Sequence, residues 1–273
     1  MKPKIFLNAF IGIALIGGAS YFLTPAEKTA PTKAMTENTT KPGLTVIKKA
    51  QAKSIDVFQA NVFDYSNVNN ITEKKQTFFD ALRPIIISQN QLINNQREKI
   101  LLAQEKNKIQ DWLQPLAEKY NVEWSNDKPN WNQLLTHIDT IPTELVMAQA
   151  ANESAWGLSR FAQKGNNLFG QWCFKKGCGI VPGQRDSGAN HEVRKFSSIN
   201  DSVASYMHNL NSGRAYKDLR NLRSDLRSSN KPVDGHTLAN GLLKYSSRGK
   251  AYVKEIQSMI KTNKLLMQSA NKT

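Results

Sequence analysis

Apolar residues recur at intervals of three and four positions between residue 71 and about residue 120. This spacing puts them on one face of a helix, so the segment is predicted to be helical. Pro84 and Pro115 are each predicted to start or kink a helix, because proline lacks the N–H that a helix interior uses. The apolar positions are Phe78, Phe79, Leu82, Ile85, Ile86, Leu92, Ile93, Ile100, Leu101, Ile109, Trp112 and Leu116.

The second half of the chain is predicted to form shorter helices. One begins at a Thr143 cap, with Glu144 in its first turn, and its small alanines would let another helix approach closely. That helix is therefore predicted to be central to the domain. Further helices are predicted after a cap at Asn200 or Asp201, around residues 237–243 and from about Tyr252.

A non-helical insert separates these helices. Residues 171–196 contain four glycines and a proline between two short β-type runs, 179–181 and 191–196. This pattern predicts a β-hairpin that turns near residues 186–188. The fold class is therefore mainly α, with a small β-hairpin lobe and a preceding helical N-terminal region.

Glu153 is the one carboxylate in the apolar, helix-forming run that leads to Gly157. Burial among alanines and a tryptophan disfavours its charged form, which raises the pKa. Because a general acid needs such a pKa near neutral pH, an enzyme is the leading interpretation. Trp156, three residues later, would supply a hydrophobic wall on the same helical side. The alternative is a surface glutamate on an amphipathic helix.

The chain of 273 residues carries a formal net charge of +15 and a pI of about 9.8. Such a charge favours polyanionic partners, namely nucleic acid, anionic lipid or an acidic cell-wall polymer. A hydrophobic content of 40% allows a real core and excludes a wholly disordered chain.

The N-terminus indicates export. Lys2 and Lys4 precede an uncharged apolar stretch, residues 5–23, whose length could just span a bilayer of roughly 30 Å. Cleavage as a signal peptide and retention as an inner-membrane anchor both remain open. Export argues against nucleic acid as a partner. Residues 25–43, rich in Thr, Lys, Pro and Ala, are predicted to be a flexible linker.

Two cysteines, Cys173 and Cys178, flank a short run that contains Gly177. In an oxidising compartment they are candidates for a disulfide, and two free thiols are the alternative. The four histidines show no ligand spacing around the pair, so no metal is predicted. No cofactor is predicted either.

Three motifs resemble one known family. They are AANESAWG at 150–157, SRFA at 159–162 and GNNLFGQWCF at 165–174, with weaker matches in VRKF at 193–196, SVASY at 202–206 and Tyr245 before Tyr252. They are similar to the Bax-type branch of glycoside hydrolase family 73. The resemblance implies a lysozyme-like fold and hydrolysis of β-1,4 bonds after N-acetylglucosamine in peptidoglycan glycan strands.

Carried over by position, the resemblance makes Glu153 the general acid and Tyr206 a tyrosine that supports catalysis. The family's second carboxylate lies on the hairpin, where Glu192 and Asp186 are the acidic groups. Glu192 is favoured as this second carboxylate. The alternative is that Glu192 only forms an ion pair with Arg194 and has no catalytic role. A substrate-assisted route would need only the acid and an aligning group.

Other residues are candidates for substrate binding. Asn166 and Asn167 would shape the loop after the catalytic helix or contact N-acetyl groups. Aromatic side chains could stack on sugar rings or belong to the core. The candidates are Asn166, Asn167, Phe169, Trp172, Tyr245 and Trp156.

The sequence thus predicts a glucosaminidase of the periplasm or cell envelope. Its predicted parts are a signal peptide or anchor (1–24), a linker (25–43), a helical N-terminal region (44–130), a lysozyme-like glucosaminidase domain (131–265) and a tail (266–273). The rivals are a lytic transglycosylase of the same fold and a non-catalytic wall-binding or scaffold protein.

Overall fold

A computed structural model describes Phe63, residues 65–183, Arg185 and residues 188–268. The predicted anchor, the linker and Asp186 lie outside these residues. Within the described part of the chain, no helix combines the length and apolarity that crossing a membrane requires. The α-helices are α1 (Ile71–Glu105), α2 (Leu113–Lys119), α3 (Trp131–His137), α4 (Thr143–Ser154), α5 (Arg160–Gly165), α6 (Ile199–Ser212), α7 (Lys217–Ser228), α8 (Gly235–Leu238), α9 (Lys250–Thr262) and α10 (Lys264–Gln268).

Helix α1 begins at an N-cap and runs through a proline. The Asn70 side chain accepts a hydrogen bond of 2.8 Å from the Glu73 N–H, which satisfies one donor of the first turn. The helix continues past Pro84, so this proline does not start a helix, and the alternative that it kinks one stays a prediction. Burial of Phe79 and Ile86 on either side offsets the roughly 3 kcal/mol that an internal proline costs.

Helix α4 lies at the centre of the fold, as its small residues predict. Seven consecutive side chains from Leu145 to Ala151 are buried, and the helix packs against α1, α8 and α9. Its N-cap is Pro142 rather than Thr143, which is the first helical residue. The Glu144 carboxylate accepts a hydrogen bond of 2.6 Å from the Gly235 N–H and so ties α4 to α8.

A three-stranded antiparallel sheet forms the small lobe. The predicted pairing of Gly179–Ile180 (β2) with Glu192–Arg194 (β3) is confirmed. The sequence did not predict the third strand, Trp172–Cys173 (β1), which pairs with the other side of β3 to give the order β1-β3-β2. Cys173 and Cys178 are joined by a disulfide with a Cα–Cα distance of 6.2 Å.

Helix α6 has its N-cap two or three residues before the predicted position. The Ser198 side chain accepts a hydrogen bond of 3.1 Å from the Asp201 N–H, which makes Ser198 the N-cap instead of Asn200 or Asp201. Two short 3-10 helices, Arg214–Tyr216 and Ala239–Leu242, complete the fold. The mainly helical, lysozyme-like class with a small β-lobe is confirmed.

One hydrophobic core serves both sides of the predicted boundary at residues 130/131. Phe78 and Phe79 from α1 belong to the same buried cluster as Val146 from α4 and Ile256 from α9. A buried charge network adds to this core: Asp139 pairs with Arg223 at 3.6 Å and with Arg97 of α1 at 3.9 Å.

Candidate functional site

Glu153 occupies the last turn of α4, one residue before the helix ends at Ser154. The chain then takes a left-handed course through Ala155, Trp156 and Gly157, whose φ angles are 50°, 60° and 80°. The Ser154 hydroxyl donates to the Ala150 carbonyl at 2.6 Å and accepts the Gly157 N–H at 2.8 Å. Glu153 is therefore held on the final turn of a rigid, buried helix.

A tyrosine from α9 contacts the acid directly. The Tyr252 hydroxyl donates to Glu153 Oε1 at 2.8 Å. The Tyr252 oxygen in turn accepts a hydrogen bond of 2.9 Å from Gln149 Nε2, and the Tyr206 hydroxyl donates to Gln149 Oε1. The Gln149 amide accepts a hydrogen bond from Tyr206 with its oxygen and donates one to Tyr252 with its nitrogen. Each donor in this series of three hydrogen bonds is therefore directed toward Glu153.

Burial dominates the electrostatics of Glu153. Loss of hydration raises the pKa of its carboxyl to about 7, against the hydrogen bonds from Tyr252 and Asn152, which lower it. The negative charge of Glu255 adds to the rise, and the positive charge of Arg248 opposes it. The carboxyl of Glu153 therefore keeps its proton to a much higher pH than an exposed glutamate does.

The second oxygen of Glu153 is open for chemistry. Among the described residues, hydrogen bonds reach Oε1 alone, from Tyr252 and from Asn152 at 3.4 Å. Oε2 is not among the fully buried polar atoms that lack a partner, so part of its surface stays accessible. The arrangement can therefore deliver a proton from Oε2 to a bound molecule.

Stacked tyrosines surround the acid and exclude water from one side of it. Tyr245 stacks on Tyr252 with ring centroids 5.2 Å apart, and Tyr216 lies 5.9 Å from Tyr245. The Tyr245 hydroxyl donates to the Phe169 carbonyl at 3.4 Å. Burial raises the pKa of Tyr245 and Tyr252 well above the usual range, so both stay neutral hydrogen-bond donors.

Tyr206, the predicted supporting tyrosine, does not contact Glu153. Its ring is 1% exposed and stacks on Phe169 at 3.8 Å, and its hydroxyl reaches the acid only through Gln149 and Tyr252. The tyrosine that contacts Glu153 directly is therefore Tyr252 and not Tyr206. The sequence signal for this tyrosine was its position seven residues after Tyr245 in the weaker part of the resemblance.

Trp156 does not lie on the helical side of Glu153. The prediction assumed that α4 continues past Trp156, but the helix ends at Ser154 and the backbone turns left-handed. The indole packs edge-to-face on Phe78 and Phe79 of α1, at centroid distances of 5.6 and 5.4 Å. The ring that was expected to cover the acid therefore anchors the end of α4 to α1.

The two asparagines of the predicted binding motif hold the loop after α5. Asn166 ends α5 with a φ of 51° and donates to the Phe196 carbonyl at 3.0 Å. Asn167 is 1% exposed, and its amide donates to the carbonyls of Gln171 and Arg194, both at 2.9 Å. These contacts support the loop-shaping alternative for both residues, and contact with N-acetyl groups stays a prediction.

The two candidate stacking residues occupy different environments. Phe169 is 4% exposed and belongs to the core. Trp172 is partly exposed on β1 and stacks on His191 with centroids 4.0 Å apart and planes 17° apart. Trp172 therefore keeps a surface on which a sugar could stack, whereas Phe169 supports Tyr206.

Glu192, the favoured second carboxylate, is bound to backbone amides of the small lobe. Its Oε1 accepts the Gly177 N–H at 2.9 Å and its Oε2 accepts the Gly179 N–H at 2.7 Å. These hydrogen bonds stabilise the carboxylate and lower its pKa. The geometry gives Glu192 a structural role in the loop that the disulfide closes, and its catalytic role stays a prediction.

The same loop contains a group of candidate metal ligands. Among the described residues, the Sγ atoms of Cys173 and Cys178 and a carboxylate oxygen of Glu192 lie within 4.8 Å of one another. The two sulfur atoms are bonded to each other, so neither is a thiolate that could bind zinc.

Comparison with known proteins identifies the family. The family model described as mannosyl-glycoprotein endo-β-N-acetylglucosaminidase matches residues 128–265. Protein bax of Escherichia coli (strain K12) is 35% identical over 205 residues, which cover 72% of each chain. No solved structure gives a significant match. These similarities confirm the resemblance carried by the sequence motifs, and the chain therefore belongs to the Bax-type glucosaminidase family.

Proposed function

We propose that this protein is an exported peptidoglycan hydrolase that cleaves the β-1,4 bond after N-acetylglucosamine, with Glu153 as the general acid. Membership of the glucosaminidase family supports a glycan hydrolase. The observation that carries the finer proposal is the state of Glu153: burial raises its pKa to about 7, Oε1 accepts a hydrogen bond from Tyr252, and Oε2 accepts none from the described residues and is not fully buried.

The proposed step begins with the proton on Oε2. It passes to the glycosidic oxygen as the bond from C1 to that oxygen breaks, and the bonding electrons leave with the oxygen. Positive charge then develops on the sugar ring, while Glu153 becomes a carboxylate. The Tyr252 hydroxyl stabilises this new charge at Oε1. A water molecule adds to C1 and releases one proton to solvent, from which the Glu153 carboxylate takes up a proton again to complete the cycle.

The charge and the N-terminus support the proposed location. A net charge of +15 favours an acidic wall polymer, and the apolar residues 5–23 after two lysines are typical of an export signal or anchor. We therefore place the protein in the periplasm or cell envelope, with residues 5–23 as a candidate inner-membrane anchor.

The test uses a form of the protein that begins at residue 44 and purified sacculi. Wild type is compared with Glu153→Gln and with Glu105→Gln, an exposed glutamate of α1 that serves as the matched control. The products are reduced and weighed by mass spectrometry. We expect wild type and the control to release chains that end in reducible N-acetylglucosamine, and Glu153→Gln to lose at least about a hundredfold in rate.

The other outcomes identify the rivals. Anhydro ends would show a lytic transglycosylase, because ring closure then replaces the addition of water. Binding to sacculi without new chain ends in wild type would indicate a scaffold protein. Equal activity of wild type and Glu153→Gln would contradict the role of the acid.

A further inference from the structure

A glycosidase of this kind needs a second group that supports the positive charge on the sugar or activates water. Glu192, the candidate from the sequence, has both oxygens bound to backbone amides of the small lobe. A different carboxylate, Glu255, belongs to the helix whose Tyr252 donates to Glu153.

Glu255 is part of the helix that supplies Tyr252. It lies three residues after Tyr252 on α9, and side chains at that spacing are neighbours on a helix surface, with Cβ atoms about 5–6 Å apart. Arg248, in the turn before α9, reaches along the helix and pairs with the Glu255 carboxylate. Arg248 and Glu255 therefore lie on either side of Tyr252 in the sequence, and Tyr252 is the residue that donates a hydrogen bond to Glu153.

Both members of the pair are accessible to a bound glycan. The side chains of Arg248 and Glu255 are 36% and 38% exposed, whereas Tyr252 between them in sequence is fully buried. The buried hydroxyl thus faces Oε1 of Glu153, and the charged pair lies toward the solvent. A substrate that reaches Oε2 would approach from the solvent side as well.

Electrostatics agrees with this placement. Among charged groups, Glu255 raises the pKa of Glu153 and Arg248 lowers it. The other titratable groups that interact with Glu153 are the neutral tyrosines Tyr206 of α6, Tyr216 of the 3-10 helix, Tyr245 and Tyr252.

We propose that Glu255 is the second carboxylate of this active site and that Arg248 holds it in place. The inference rests on the proposed glycosidase function. Glu255 keeps the proton on Glu153 until a glycan binds. After transfer, its negative charge stabilises the positive charge that develops on the sugar. Arg248 fixes the carboxylate and limits its repulsion of the ionised acid.

A surface ion pair with no functional role is the competing explanation, since exposed pairs are commonly worth about 0–1 kcal/mol. The protein offers a matched control. Lys244 and Asp218 form another exposed pair, at 3.7 Å, with side chains that are 66% and 54% exposed. Neither of them acts on the pKa of Glu153.

The first experiment measures Glu153 without turnover. The side-chain carboxyl carbon of Glu153 is followed by NMR across pH in protein with 13C-labelled glutamate and is assigned by its loss in Glu153→Gln. We expect Glu255→Gln to lower the pKa of Glu153 and Arg248→Gln to raise it, each by about 0.5. Asp218→Asn and Glu192→Gln should leave the titration as in wild type. Shifts in the same direction, or none, would overturn the inference.

The second experiment measures digestion of sacculi at pH 5.5, below the pKa of about 7 of Glu153, so that a change in that pKa has little effect on the rate. We expect Glu255→Gln to lose at least about tenfold in rate, which corresponds to about 1.4 kcal/mol. Asp218→Asn should digest at the wild-type rate. If wild type digests sacculi and Glu255→Gln keeps pace, this inference fails while the proposed function stands. If wild type digests nothing, the proposed function fails, and the inference falls with it whatever the titration shows.

Discussion

The hydrogen bond between Tyr252 and Glu153 has a fixed direction. Gln149 donates to the tyrosine oxygen, so the tyrosine hydrogen is left for Glu153 Oε1. A donor of this kind favours the carboxylate over the acid, and burial favours the acid. The pKa of about 7 is the balance between these two effects.

Removing the hydroxyl should disturb that balance. We expect Tyr252→Phe to raise the pKa of Glu153 above 7, because the carboxylate loses its stabilising donor while burial remains. The rate of sacculus digestion should fall about 10- to 100-fold, since hydrogen bonds to charged groups are worth roughly 1.5–3 kcal/mol. The alkaline limb of the pH–rate profile should move to higher pH.

Tyr206→Phe is the matched comparison. It removes a hydroxyl from the same hydrogen-bonded chain but leaves the contact between Tyr252 and Glu153. Its cost should fall mainly on stability, about 1 kcal/mol in urea unfolding, with a smaller loss of rate. A larger rate loss in Tyr206→Phe than in Tyr252→Phe would contradict this expectation and would make Tyr206 the tyrosine that supports Glu153.

The raised pKa of Glu153 also predicts a pH-dependent stability. A carboxyl with a folded-state pKa above its unfolded value of 4.5 stabilises the fold fully below pH 4.5, and this contribution is lost as pH rises through about 7. Glu153→Gln has no carboxyl to ionise at this position, so its stability does not fall in this way as pH rises. We therefore expect it to be more stable than wild type at pH 9, by roughly 3 kcal/mol at most, and similar at pH 4.

Urea unfolding of the two proteins at both pH values measures this difference. Glu105→Gln serves as the control and should follow wild type, because Glu105 is exposed. If the free energy of unfolding changed equally between pH 4 and pH 9 in wild type and in Glu153→Gln, the carboxyl would be hydrated in the folded protein.

Sequence reasoning could find Glu153 but not its partner. A lone carboxylate in an apolar helical run is a local signal, and its burial follows from neighbours within a few positions. The contact with Tyr252 spans 99 residues of chain, and nothing in the local pattern distinguishes this tyrosine from Tyr206 or Tyr245. Which tyrosine touches the acid depends on how α9 packs against α4.

At the scale of elements, the end of α4 carries unusual backbone conformations. Ala155 and Trp156 adopt left-handed φ angles, which cost about 1–2 kcal/mol for residues with a Cβ atom. Gly157 follows with a φ of +80°, and an added Cβ would lie 2.2 Å from the Phe63 ring. This turn stops the helix one residue after Glu153 and directs Trp156 onto α1.

Opposite substitutions at this turn should have opposite effects. We expect Ala155→Gly to stabilise the protein by up to about 1 kcal/mol, because glycine adopts the left-handed conformation without steric cost. Gly157→Ala should destabilise it by about 1–3 kcal/mol through strain and the clash with Phe63. Thermal unfolding measures both, and a stabilising Gly157→Ala would contradict the geometry.

The pattern of errors among the elements has a physical basis. The hairpin was predicted from its turn residues, and the helical character of residues 71–105 was predicted from the periodicity of their apolar positions. Strand β1 has only two residues and exists because β3 offers a second edge, which is a tertiary cause. The placement of Trp156 failed because a left-handed turn that does not begin with glycine gives little sequence signal.

At the scale of the whole molecule, the family match and the folding unit differ. The match spans residues 128–265, but α1 lies before it and contributes to the same core. Phe78 and Phe79 pack on Trp156 just after α4, and Arg97 donates to the Ile138 carbonyl at 3.0 Å. Helix α1 is therefore a structural part of the same folding unit as the family-matched residues.

This arrangement predicts that residues 131–268 do not fold alone. Deleting α1 would expose the surfaces that now cover its buried side chains, each worth about 1.5–3 kcal/mol. Phe78, Phe79, Leu82, Ile86 and Ile100 are all fully buried. Their sum approaches or exceeds the 5–15 kcal/mol that stabilises a typical domain. A form that begins at residue 63 keeps α1, and we expect both it and the full chain to unfold cooperatively in urea. The shorter form should show no cooperative transition and no dispersed NMR spectrum. If it did fold and titrated Glu153 near pH 7, the N-terminal region would be a separate module, and its function would have to be sought outside the core.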